Sequence, residues 1–291
     1  MAMVVDGHLH LFQSATPQYP RAVYETMAEA DRAELVETLI AAMDTAGVDH
    51  AVVVPLSKQD RYLAEVLAAH PGRFAGIGIF DHDDPDDVMA VRDRVEQSGL
   101  QGLRFYGLGA DASTTLETLA CAPVLDYMAD TGLVVWFYGE PVQLALLDQF
   151  MERRPDLVVV LNHCGFLPDL HAEMRIDEFR RPRFDVELPP SGLELVEDLA
   201  ARHEQLNVHL SGYYAFSREP FPYRDLTEVV ERLHRAFGAD RMLMASDWPW
   251  IREEPGYAEV LSVFEYLLPG LSEDERAAIR GGTASRLLRF G

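Results

Sequence analysis

A (β/α)8 barrel, one TIM-barrel domain, is the fold class this sequence predicts, and three observations carry the prediction. Short apolar runs rich in Val, Ile and aromatic residues recur eight times, each followed by a stretch of helical periodicity. Runs such as Leu157 to Leu161, LVVVL, are apolar without interruption, as in parallel strands covered on both faces. A doubly wound open sheet shares that alternation, but no glycine-rich phosphate loop follows the first run.

Met3 to Asp6 is the first strand, and the helix predicted after it, Arg32 to Ala46, is closed by Gly47. Ala51 to Pro55 is the second strand; Asp60 to Ala69 is its helix, stopped by His70-Pro71-Gly72. The pairs then continue: Phe74 to Phe80 with Pro85 to Ser98, Gly102 to Tyr106 with Leu116 to Asp130, and Leu133 to Tyr138 with Val142 to Arg153. Leu157 to Leu161 precedes Leu193 to Glu204, Asn207 to Ser211 precedes Leu226 to Phe237, and Met242 to Ala245 precedes Tyr257 to Leu267. The segment 166–192 is too long for an ordinary connection and is expected to form a lid or pocket wall on the active-site side.

Composition narrows the function classes. With 291 residues and 48% hydrophobic content the chain can fill one large core, and no second domain is needed to account for its length. No apolar run approaches the roughly 20 residues of a membrane span, and no signal-peptide pattern opens the chain, so a cytoplasmic protein without a membrane partner is expected. Cys121 and Cys164 cannot build a disulfide framework. A formal charge of −23 with no basic cluster argues against nucleic acid and leaves a small molecule as the partner; a homo-oligomer stays open. Lys58 is the sole lysine and follows the second strand, where neither a Schiff-base nor a metal-bridging carbamate role is expected.

Chemistry concentrates where predicted strands end. In a strand, residues i and i+2 share a face, so Asp6, His8 and His10 in VVDGHLHLF are expected to point the same way, Asp6 deeper and supporting the two histidines. His163 ends the sixth strand in VVVLNHCGF, and Asp247 ends the eighth in LMASDWPW. Barrel enzymes place their chemistry at these C-terminal ends. Imidazoles and a carboxylate converging there can bind a divalent transition metal such as zinc and activate water. Tyr106, Trp136, Tyr138 and Tyr213, at other strand ends, are candidate pocket walls.

DGHLH on strand one, NHCG on strand six, ASDWPW on strand eight and the closing GGTASRLL together resemble the amidohydrolase superfamily. The similarity runs from first strand to last helix. It is greatest to the amidohydrolase-2 branch, which includes 2-pyrone-4,6-dicarboxylate lactonase, sulfomuconolactone hydrolase, sugar-lactone hydrolases and metal-dependent decarboxylases. The resemblance implies a hydrolase acting on a lactone or related cyclic ester or amide of a small, anionic, carboxylated substrate. It assigns His8, His10, His163 and Asp247 as metal ligands, with Asp247 also the base that activates water and His163 catalytic beside it; Arg104 in GLRFYG would hold a substrate carboxylate. A decarboxylase or a non-catalytic binding barrel is the alternative on the same scaffold.

Strand five departs from the metal-dependent pattern. Those relatives carry a histidine there, or a lysine carbamate on the preceding strand, whereas this chain reads LVVWFYGE. In a metal-free version, His8, His10 and His163 position the carbonyl while Asp247 activates water. The remaining expectations are local. His82 belongs to a solvated loop; His50, His70, His171, His203 and His234 are ordinary; His209 is a satisfied core histidine. Cys164 is buried, on the opposite strand face from His163. Arg180, Arg181, Arg183 and Arg218 are candidates to meet an anionic substrate.

Overall fold

Eight strands, all parallel and paired in sequence order, form the main sheet of a computed structural model that describes residues 3–111, 113–166 and 174–290. They are β1 (Val5–His10), β2 (His50–Val54), β3 (Phe74–Phe80), β4 (Leu100–Tyr106), β5 (Val134–Tyr138), β6 (Val159–Leu161), β9 (Leu206–Leu210) and β10 (Met242–Met244). A two-residue hairpin, β7 (Arg175–Ile176) with β8 (Pro182–Arg183), occupies the long segment after β6. Between strands lie α1 (Val36–Ala46), α2 (Arg61–Ala69), α3 (Val88–Ser98), α4 (Ala122–Thr131), α5 (Pro141–Arg153), α6 (Leu193–Arg202), the one-turn α7 (Tyr213–Phe216), α8 (Thr227–Phe237) and α9 (Tyr257–Leu267). Two short C-terminal helices, α10 (Glu273–Ala277) and α11 (Thr283–Leu287), complete the shell.

The predicted barrel is therefore present, with differences at element ends. The first helix begins at Val36 and not Arg32, because Arg32 folds back to Glu34 and the Met27 carbonyl. The fourth begins at Ala122 and not Leu116, with Pro123 in the first turn, where its missing N–H costs nothing. The helix after β1 closes where expected: Gly47 is left-handed at φ 71° and its N–H returns to the Met43 carbonyl.

Alternate strand residues divide the core into two layers. Val52, Val54, Ala75, Ile77, Ile79, Trp136, Val160 and Leu243 pack inside the barrel with Val5, and Ala284 and Leu288 of the C-terminal segment close the far end. The intervening residues, such as Val53, Leu103, Phe105, Val135 and Phe137, pack against the helices. Closure between first and last strands is made at the pocket end. There the Asp247 N–H donates to the His8 carbonyl at 2.9 Å and the His10 N–H to the Trp248 carbonyl at 2.7 Å. No helix among the described residues is long and apolar enough to cross a membrane.

Candidate active site

A cavity of about 510 Å³ opens at the C-terminal ends of the strands. His10, Arg104, Tyr106, Tyr138, His163, Tyr214, Asp247 and Trp250 line it. Met174, Pro182 and Phe184, from the segment 166–192, supply part of the wall; residues 167–173 of that segment, with His171, lie outside the described residues.

A bulge in β1 sets the histidines. Val5 pairs with His50 and Asp6 with Ala51, but Leu9 pairs with Val53 and His10 with Val54, so β1 spends one extra residue between Asp6 and Leu9. Asp6 therefore shares the outward face of Ala51, and His8 and His10 point inward. This corrects the expectation of one shared face: strand alternation fails across a bulge. Gly7 fits at the bulge because a Cβ there would stand 2.8 Å from the Met244 carbonyl oxygen. Asp6 supports the site from outside. Its carboxylate accepts from Ser246 N at 2.8 Å, Ser246 Oγ at 2.5 Å and Tyr257 Oη at 3.1 Å, fixing the residue next to Asp247.

Asp247 follows β10 in the left-handed region, at φ 60°, a conformation costly for a non-glycine residue and often found at functional sites. Its Oδ2 accepts from the Tyr214 hydroxyl at 2.5 Å. Its Oδ1 lies 3.6 Å from His8 Nε2 and 3.4 Å from His10 Nε2, while His163 Nδ1 is 4.0 Å from Oδ2. Burial alone would raise this carboxyl, but His163, His10 and Tyr214 hold it well below the usual carboxylate range. Asp247 is thus ionised at neutral pH.

His163 is not on a strand, as the sequence had implied. β6 ends at Leu161, and His163 and Cys164 form a short turn at φ 50° and 58°. That turn aims His163 into the cavity. Arg104 Nη2 stands 3.3 Å from His163 Nε2, and a guanidinium only donates, so Nε2 accepts and Nδ1–H donates to Ser211 Oγ at 2.8 Å. Ser211 Oγ in turn donates to His209 Nδ1 at 3.1 Å, which also accepts the His163 N–H at 3.3 Å. Burial pushes His163 down to about 4, with Arg104 adding to burial and Asp247 opposing it. Burial, reinforced by cationic neighbours, also drives His8 and His209 well down, so all three rings are neutral. His209, expected as a core histidine, stacks on His8 at 4.6 Å and supports the site from beneath.

Proximity makes His8, His10 and Asp247 a group that can hold a metal ion, with ligand atoms within 4.8 Å of one another. His8 Nε2 and Asp247 Oδ1 are buried without a hydrogen-bond partner, as atoms awaiting an ion would be. His10 Nδ1 donates to the Val54 carbonyl at 2.9 Å, leaving Nε2 for Asp247 or an ion. The donor chemistry of His8 does not fit, because Trp136 Nε1–H already donates to its Nδ1 at 3.1 Å.

The other candidates separate clearly. Arg104 is 3% exposed and makes no ion pair among the described residues; its guanidinium lies 4.4 Å over Tyr106 and 5.9 Å from Tyr138. Tyr106 and Tyr138 line the cavity, but Trp136 lies beneath His8, and Tyr213 is buried against Tyr223 at 6.2 Å. The neighbouring Tyr214 takes the place expected for Tyr213, because the turn α7 replaces strand alternation there. Arg180 pairs with Glu29, Arg181 with Asp177 and Glu254, Arg183 with Asp177 and Arg218 with Asp185; none lines the cavity. His82 lies exposed on the acidic loop after β3, as expected, and also reaches the cavity rim. Burial pushes the Cys164 thiol up to about 12, so it is no nucleophile. His50, His203 and His234 make structural contacts with the Gly72 carbonyl, Asp148 and Glu275.

Sequence reasoning missed Ser211, Tyr214 and Trp250. The first two sit in HLSGYY directly after the seventh barrel strand, where a polar residue at a strand end was the available signal.

An eight-stranded parallel barrel with histidines at the end of β1 and after β6 facing an aspartate after β10 defines a barrel enzyme with a histidine–aspartate centre. The chain belongs to the amidohydrolase family, whose profile matches residues 5–290. It is 26% identical to an L-fucono-1,5-lactonase from Burkholderia ambifaria, across 100% of this chain and 97% of that protein. A putative 2-pyrone-4,6-dicarboxylic acid hydrolase from Pseudomonas putida superposes with a TM-score of 0.74 at 22% identity, covering 99% and 97% of the two chains. An amidohydrolase from Burkholderia multivorans with bound zinc superposes at 0.71 and 24% identity, covering 98% and 99%.

Proposed function

We propose that the protein is a lactonase: it hydrolyses the cyclic ester of a small, hydroxylated or carboxylated acid. One observation carries the reading. The Asp247 carboxylate is ionised, buried at the cavity floor, and has one oxygen, Oδ1, free of hydrogen-bond donors. A carboxylate so placed takes a proton from water as that water attacks the ring carbonyl. When the ring opens, the proton passes from Asp247 to the leaving alkoxide, giving the hydroxy acid.

Arg104 is the substrate anchor in this reading. It is a buried cation with no acidic partner among the described residues, and a carboxylate or a carbonyl oxygen gaining charge supplies one. Tyr106 and Tyr138 add hydroxyls to the same wall. A cavity of about 510 Å³ suits a small molecule, and Met174, Pro182 and Phe184 supply part of its wall. The lactonase name of the Burkholderia ambifaria relative supports a lactone over a carbon–carbon lyase substrate. Two buried free cysteines accord with a cytoplasmic location.

A second version places zinc on His8, His10 and Asp247, whose ligand atoms converge, against the Trp136 donor that occupies His8 Nδ1. Asp247→Asn tests the shared core of both versions. Across a panel of sugar-acid and carboxylated lactones, acid release followed by a pH indicator is expected to fall by about 10² to 10⁴ in kcat. Undiminished hydrolysis by the variant refutes the assignment of Asp247 as base.

A further inference from the structure

Trp136 is fully buried on β5, inside the barrel, and its Nε1–H points at His8 Nδ1, 3.1 Å away. An indole nitrogen can only donate, so His8 Nδ1 must present a lone pair. A neutral imidazole with a lone pair at Nδ1 carries its proton on Nε2. His8 Nε2 faces Asp247 Oδ1 at 3.6 Å, where that proton is welcome.

A metal ion on Nε2 needs the opposite arrangement. The lone pair must then lie at Nε2 and the proton at Nδ1, head-on to the indole hydrogen. Neither ring has an escape, since His8 and Trp136 are both 0% exposed and close-packed, with His209 stacked on His8 and 6.1 Å from Trp136.

We propose that Trp136 decides the ionic preference of this site: its indole N–H fixes the His8 proton on Nε2, facing Asp247, and so makes the centre metal-independent. Without His8, an ion keeps His10 and Asp247, one ligand short of the three protein ligands that hold a catalytic zinc. His163 cannot make good the deficit, because its Nδ1 proton is committed to Ser211 and its Nε2 lone pair to Arg104. Trp136 is a positioning residue. It lines no part of the cavity, and it acts on the site through the proton position of His8.

The test needs no substrate, so its outcome is independent of the lactone reading. Long-range ¹H–¹⁵N correlation spectra of histidine-labelled protein identify the His8 tautomer directly. The wild-type chain is expected to show His8 protonated at Nε2, unchanged by EDTA or added zinc chloride, and to keep well under one zinc per chain through dialysis. Trp136→Phe removes the donor and frees the tautomer, so its zinc affinity is expected to rise by about 10- to 100-fold, the scale on which outer hydrogen bonds tune metal sites. A wild-type chain that retains one zinc, with His8 protonated at Nδ1, overturns the proposal. A Trp136→Phe protein with wild-type zinc affinity and an unchanged His8 tautomer overturns it as well. Should that variant fail to fold, the spectra and zinc content of the wild type decide alone.

Discussion

Asp6→Asn probes the joint between β1 and the segment that carries Asp247. The Asp6 carboxylate is fully buried, and burial pushes its pKa from 3.8 up to about 6 against the pull of the Ser246, His8 and Tyr257 donors. A carboxyl whose folded pKa lies above its unfolded one contributes stability that is complete below 3.8 and is lost as the pH rises through 6, because the folded chain holds the extra proton. At about 1.36 kcal/mol per decade the displacement is worth about 3 kcal/mol, of which about 2 kcal/mol falls between about pH 4.5 and 7.5. Asn has nearly the same shape and does not titrate. Its amide can donate to the Ser246 and Tyr257 hydroxyls, which turn to accept, while its oxygen keeps the Ser246 N–H. Urea unfolding of both proteins across this range isolates the term, since every other group titrates alike in each. The difference is expected to shift by about 2 kcal/mol in favour of Asn as the pH rises. A difference that stays flat with pH refutes the view that Asp6 is a desolvated carboxylate, and with it the account of how the Asp247 segment is anchored.

Two further substitutions address the cavity. Arg104→Met should lower kcat/KM for a carboxylated lactone by about 10- to 100-fold, the value of a charge-assisted hydrogen bond, without lowering the melting temperature, since the fold loses a buried charge that has no acidic partner among the described residues; a stability loss with normal kinetics would make Arg104 structural. Tyr214→Phe removes a donor to ionised Asp247, so the carboxyl moves up toward the usual range. The acid limb of the pH–rate profile, which reports loss of ionised Asp247 as pH falls, is then expected to shift to higher pH, and a profile that does not move would detach Tyr214 from the base.

Much of this was legible in the chain because parallel barrels write themselves as alternating local patterns. Apolar runs followed by amphipathic stretches located all eight barrel strands, and polar residues interrupting those runs pointed to His8, His10, His163 and Asp247, which the structure brings together. Strand parity then failed at three places for one physical reason. The bulge turned Asp6 outward, the left-handed turn at His163 replaced strand with a kink, and the turn at α7 presented Tyr214 in place of Tyr213. Each is a backbone irregularity at a strand end, set by neighbouring strands and not by local periodicity.

The sequence by itself determined the barrel and pointed to the end of it that carries the chemistry, the four side chains that converge there and the absence of a histidine from strand five. Those follow from apolar periodicity and residue type, which are local properties of the chain. Only the tertiary structure decided which atoms face which. It paired Arg104 with His163, linked His163 to His209 through Ser211, and aimed the Trp136 indole at His8. The proton positions on His8 and His10 depend on Trp136 and Val54, 128 and 44 residues away in sequence, so no reading of VVDGHLHLF alone could tell which ring nitrogen is free for a metal.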